Sequence, residues 1–153
     1  MQLKNFDIPS SVELARHGLF WDLHNCAYFE GLELIPSKNA VAITWSVLAA
    51  RPWGGPKNEF AGVQLFFDNV SFLHVGLRDH EMPMREDSCV SAILKVDPNA
   101  ANDDPPKRPL HDLAAHFRLA FVFCSQRIIE LESETVELVP LTEIGDDQFS
   151  ACD

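Results

Sequence analysis

Phe60-Ala61-Gly62-Val63-Gln64-Leu65-Phe66-Phe67-Asp68-Asn69-Val70-Ser71-Phe72-Leu73-His74-Val75 reads either as a β-hairpin or as one long strand, and the choice shapes everything around it. Its β-branched and aromatic residues suit a pleated, half-buried surface. Asp68-Asn69 is a pair able to adopt the positive φ angles of a two-residue hairpin turn. With the turn there, Phe67 faces Val70, Leu65 faces Phe72 and Val63 faces His74, which gathers five apolar side chains on one face. Without it, a single bent strand runs through Asp68-Asn69. Both readings are open at this level. In the hairpin, the loops at residues 51–57 and 77–87 share one end of the sheet; in the continuous strand they lie at opposite ends.

Working outward, Val41-Ala42-Ile43-Thr44-Trp45-Ser46-Val47 alternates large apolar with small or polar residues and is the clearest strand in the chain. Residues 26–34 read as its partner, with turn chemistry in Pro36-Ser37-Lys38-Asn39 and a bulge at Glu30-Gly31. Residues 90–96 form another strand. Residues 97–109 hold four prolines and form an irregular connection, followed by a helical turn over residues 110–116. Residues 117–124 are apolar on both parities apart from Arg118, as in a central strand. Ile129 and Leu131 alternate with glutamates, while Val136 and Leu138 resume on the opposite parity, so a turn or bulge falls near Ser133-Glu134-Thr135. At the other end, Ser10-Ser11-Val12-Glu13 has capping-box spacing and Gly18 suits a left-handed cap, which predicts one short N-terminal helix. Leu19-Phe20-Trp21 then forms an apolar plug against the sheet.

These elements predict a mainly β (α+β) fold: an antiparallel sheet of seven or eight strands, curled or packed as a sandwich, with that one helix. Residues 1–144 form a single β-rich domain, and residues 145–153 a flexible acidic tail. Eleven phenylalanines and three tryptophans suit the inner faces of such a sheet.

The 153 residues carry 12 basic and 23 acidic side chains, a net charge of −11, which opposes binding to nucleic acid or an acidic membrane. No apolar run approaches the ~20 residues of a membrane span, and Met1-Gln2-Leu3-Lys4-Asn5 lacks a signal peptide's apolar region. A cytoplasmic location is expected. Beyond Arg127 there is no Lys or Arg, whereas Glu130, Glu132, Glu134, Glu137, Glu143, Asp146, Asp147 and Asp153 all lie there. A basic protein is therefore the natural partner. The other reading of these carboxylates is a solubilising surface that discourages edge-to-edge association.

Chemistry-bearing motifs are sparse. Cys26, Cys89, Cys124 and Cys152 form no C-x-x-C pair, so neither a disulfide nor a zinc knuckle is expected, and no cofactor motif is present. Gly-x-Ser-x-Gly and both phosphate-loop patterns are missing. The densest titratable group runs from His74 through Arg78, Asp79 and His80. It supplies one alternative, a small metal-dependent hydrolase using His74, Asp79 and His80, although no regular spacing fixes their geometry. His24 is either a satisfied core histidine or part of a site. Arg51-Pro52-Trp53-Gly54-Gly55-Pro56-Lys57 offers Arg51 and Trp53 as loop anchors for a partner, with Glu130, Glu132, Glu134 and Glu137 as the electrostatic face. A homodimer or structural homo-oligomer joined through an edge strand is the third class.

Leu23-His24-Asn25-Cys26-Ala27, a strand, a tight turn and Ala40-Val41-Ala42-Ile43-Thr44-Trp45 resemble the His-Asp-Ala opening and first hairpin of small β-rich bacterial proteins grouped with the immunity proteins of toxin–immunity systems. The stretch over residues 60–73 and the closing strands are similar to the later strands of such chains, and the resemblance covers residues 20–140. Asn25 stands where that pattern has Asp, and the proline-rich loop is long. The resemblance implies a non-catalytic protein that blocks a toxin by binding it, with any role for His24 and Asn25 carried from the opening motif.

Overall fold

A computed structural model describes residues 1–47, 60–98 and 116–142. Nine strands run through them: β1 Gln2–Leu3, β2 Glu13–Arg16, β3 Leu19–Asp22, β4 Ala27–Ile35, β5 Ala40–Val47, β6 Gly62–Val75, β7 Val90–Val96, β8 Arg118–Phe123 and β9 Ile128–Leu141. Two single 3-10 turns, Pro36–Lys38 and Met84–Asp87, complete the elements. Among the described residues there is no α-helix, and so none long and apolar enough to cross a membrane.

The expected N-terminal helix is instead a hairpin. Arg16 pairs with Leu19, leaving His17 and Gly18 as a two-residue turn with φ of 50° and 79°. Positive φ at both central positions defines the turn whose twist matches flanking strands. Ser10 Oγ accepts from the N–H of Val12 at 3.3 Å, two residues on, where a helix cap would serve the third. Leu14 and Trp21 pair across the hairpin and are both fully buried, so tertiary packing outweighs the local helix signals.

β6 is one continuous strand of 14 residues through Asp68 and Asn69, which settles the hairpin question in favour of the bent strand. Asn69 does take a positive φ, 53°, but as part of an irregularity in the β6–β9 ladder, where the register shifts between Val70 and Phe72. Opposite it, β9 also runs unbroken. The parity switch expected at Ser133-Glu134-Thr135 occurs there: Ile129, Leu131 and Ser133 are buried on one side of it, Val136 and Leu138 on the other. The bulge at Glu30-Gly31 is present as a register shift between Phe29 and Gly31, and Asn39 closes the 36–39 turn in the left-handed region.

The main sheet has seven strands in the order β4-β5-β6-β9-β8-β7, with β1 added in parallel alongside β9. β8 covers the first part of β9's free edge and β1 a later part, at Thr135 and Val136. The sheet curls into a half-barrel. At one end its two edges meet, where the Phe29 N–H of β4 donates to the Ser88 carbonyl just before β7 at 2.9 Å. Aromatic rings fill the interior: Phe29 lies 5.0 Å from Phe123 and 6.1 Å from Trp45, and Trp45 lies 5.4 Å from Phe121, centroid to centroid. The β2–β3 hairpin and the residues on either side of it bring Met1, Phe6, Leu14, Trp21 and Leu23 into the same core, with Trp21 of the expected Leu19-Phe20-Trp21 plug buried and Phe20 43% exposed. The expected helical turn at residues 110–116 falls almost wholly outside the described residues, as does the tail at 145–153.

Candidate functional site at the half-barrel seam

The seam where β4 meets β7 gathers three ligand-type side chains from distant positions. One nitrogen of His24 and the sulfurs of Cys89 and Cys124 lie within 4.8 Å of one another. Cys124 and Cys89 face each other across the ends of β8 and β7, joined by the Cys124 N–H donating to the Cys89 carbonyl at 2.9 Å. His24 sits in the turn before β4. The Asp22 carboxylate fixes that turn by accepting from the N–H groups of His24 and Asn25 and from the Asn25 side chain, each at 2.9 Å. Nδ1 of His24 lies 2.9 Å from the Val90 carbonyl and 3.4 Å from Cys89 Sγ, and the Cys89 thiol is placed to donate to the His24 carbonyl at 3.3 Å.

The seam disfavours a thiolate at Cys89. Burial foremost, then the Cys124 thiol and the charges of Glu86 and Asp22, push the Cys89 thiol up to about 12. It is a neutral thiol at neutral pH and a poor nucleophile on its own. Burial works against charge on Asp22, yet the hydrogen bonds from Asn25 and His24 outweigh it and hold its carboxyl below the usual value. Cys26, in contrast, is buried as a small apolar residue.

Beside the seam, Asp87 anchors the segment that leads into β7. It is buried, accepts from Ser125 Oγ at 2.6 Å and pairs with Arg127, while Arg78 Nε stands 3.9 Å away. Burial, and next the neighbouring charge of Arg78, lower the Arg127 guanidinium from its ordinary value.

The glutamates chosen from sequence occupy the outer face of β9 with differing company. Glu130 and Glu132 clasp Arg118, at 3.2 and 2.8 Å, and the Arg118 guanidinium lies 3.8 Å over the Phe72 ring. His116 adds a contact to Glu132 at 3.1 Å. Glu134 and Glu137 are exposed and accept from the neutral amides of Asn69 and Asn5, at 2.9 and 3.0 Å. Foremost through the Arg118 hydrogen bond, against the opposing effect of burial, the Glu132 carboxyl is held below its ordinary 4.5. Its folded value is thus the lower one, so the stabilisation is complete above 4.5 and is lost as pH falls below it. Urea stability measured from about pH 6 to about pH 3 is expected to drop, with a shallower slope for Glu132→Gln. An unchanged slope in the variant would remove Glu132 from the account.

His74 is exposed and pairs with Glu130 in the β6–β9 ladder. Arg78 donates to the Met82 carbonyl, Asp79 Oδ1 accepts from the Glu81 N–H at 2.9 Å, and His80 is exposed. Among the described residues the group of three that comes within metal-binding reach is His24, Cys89 and Cys124; His74, Asp79 and His80 form no such group. Arg51 and Trp53, the expected loop anchors, lie outside the described residues. The continuous β6 puts residues 60–62 and residues 75–77 at opposite ends of a long strand. Sequence reasoning missed Cys89, Cys124 and Arg118. The available signal was the pairing of the strands on either side of the proline-rich connection, which sets Cys89 against Cys124. Compared with known proteins, the chain matches no family model, no curated sequence and no solved structure.

Proposed function

We propose that the chain is a cytoplasmic, non-catalytic protein-binding module, an immunity- or antitoxin-like inhibitor of a basic partner. The observation that carries this reading is the pair Glu134 and Glu137: both are exposed on the outer face of β9 and hydrogen-bonded by neutral amides, so their charges stay available. Asp68, paired with Thr135 beside them, lies on the same face. Together with the net charge of −11, such a patch speeds and orients encounter with a basic surface more than it adds raw affinity. Glu130 and Glu132, satisfied by Arg118, serve as its structural border.

The test is a pull-down from lysate of the source cells with the wild type and with a Glu134→Lys/Glu137→Lys double variant, at low and then moderate salt. One basic protein held by the wild type, released as salt rises and lost from the variant is the expected result. Equal retention by both proteins would overturn the acidic-face reading. A stable homodimer with no basic protein retained would move attention to β4, an edge strand on which Tyr28 and Leu34 remain 50% and 58% exposed.

A further inference from the structure

We propose that His24, Cys89 and Cys124 bind a single zinc ion, with a fourth coordination position open to solvent. The proposal stands on the seam alone and is independent of the partner reading.

Zinc bonded at about 2.3 Å to sulfur and about 2.0 Å to nitrogen with tetrahedral angles sets a sulfur and a nitrogen about 3.5 Å apart, and two sulfurs about 3.8 Å apart. Cys89 Sγ and His24 Nδ1 are already 3.4 Å apart, and all three donor atoms lie within 4.8 Å. Cys124 Sγ, the third donor, lies within the same 4.8 Å reach and closes up to complete the set. Two sulfurs and one imidazole nitrogen form a donor set that favours zinc over magnesium or calcium, which take oxygen ligands.

The frame is held independently of any ion. Cys89 and Cys124 are locked together by the Cys124-to-Cys89 backbone hydrogen bond next to the β7–β8 ladder. The Asp22 carboxylate holds the His24 backbone through its N–H, a contact that metal binding at the ring leaves in place. Three ligands whose backbones are already fixed at the ends of strands and in a braced turn lose little conformational freedom on binding. Access is open as well: His24 is exposed and both thiols are partly so.

Both thiols lose their S–H protons to solvent as zinc–sulfur bonds form. With Nδ1 as the ligand, the imidazole proton resides on Nε2, and the Nδ1 contact to the Val90 carbonyl is exchanged for the metal bond. Water takes the fourth position, the same count of protein ligands that leaves catalytic zinc sites open.

The experiment uses the full chain, reduced and freed of metal, titrated with zinc against a chromophoric chelator and separately with cobalt(II). One equivalent of zinc is expected to bind, and cobalt is expected to give the intense thiolate charge-transfer absorption of a tetrahedral sulfur-ligated site. Cys89→Ser and Cys124→Ser are expected to weaken zinc binding on the order of 100-fold. His24→Ala changes an exposed side chain, leaves the core intact and is expected to weaken zinc binding by at least about tenfold. Failure of the reduced wild type to take up one equivalent would overturn the site. So would cobalt binding without the thiolate band, or undiminished zinc affinity in His24→Ala and Cys124→Ser.

Discussion

Phe121→Ala is expected to destabilise the protein by about 3 to 5 kcal/mol, the range for deleting a buried aromatic ring from a packed core. Phe121 is fully buried on β8, with its ring 5.4 Å from Trp45 on β5 and 6.4 Å from Phe67 on β6. These strands are not neighbours of β8 in the sheet. The ring therefore joins the two arms of the half-barrel across its hollow, and the void left by alanine has walls from both arms. Collapse of one arm onto the other would break the seam, so little relaxation is available. Phe121→Leu keeps most of the volume and is expected to lose about 1 to 1.5 kcal/mol. Urea melts of the three proteins provide the comparison; a loss below about 2 kcal/mol for alanine would show that the hollow closes readily.

Asp87→Ala is expected to have the second large effect, about 3 kcal/mol. The carboxylate is the shared counter-charge of Arg127 and Arg78 and the acceptor for Ser125, whose side chain is fully buried. Its removal leaves two guanidinium groups facing each other without an anion between them. Both arginines keep 23% of their side-chain exposure, which softens the penalty and places it at the low end of the range for broken buried pairs. A melting temperature lower by on the order of 10 °C is the corresponding readout. Asp87→Asn retains hydrogen bonding without the charge and is expected to fall between the two. A change of less than about 1 kcal/mol for alanine would show that solvent replaces the carboxylate.

Strand content was legible wherever alternation and side-chain type agreed, as in Val41, Ile43 and Trp45, or where a small residue broke the pattern, as at Gly31. Two local signals were ambiguous because one backbone angle serves two structures. Gly18 with positive φ closes a hairpin as readily as a helix, and Leu14 opposite Trp21 decides the matter only once a core exists to receive them. Asn69 at φ 53° suits a hairpin turn and a ladder irregularity alike; pairing of β6 with β9 along its whole length selects the second. The candidate site was hidden for a different reason. Pairing of the consecutive strands β7 and β8 sets Cys89 against Cys124, but His24 joins them only through the curl that brings β4 round to Ser88, which no local spacing encodes.

The parallel pairing of β1 with β9 sets an order of events during protein synthesis. Gln2 and Leu3 leave the ribosome long before Thr135 and Val136, the residues that they must join. Ser11 likewise waits for Ile93, whose N–H its carbonyl accepts. The N-terminal segment, made before β7 and β9, can be fully secured only after both have emerged, so its apolar residues Met1, Phe6, Leu14 and Trp21 spend that interval without their final burial. Such long-range closure makes folding slow and leaves the nascent chain dependent on protection until β9 emerges.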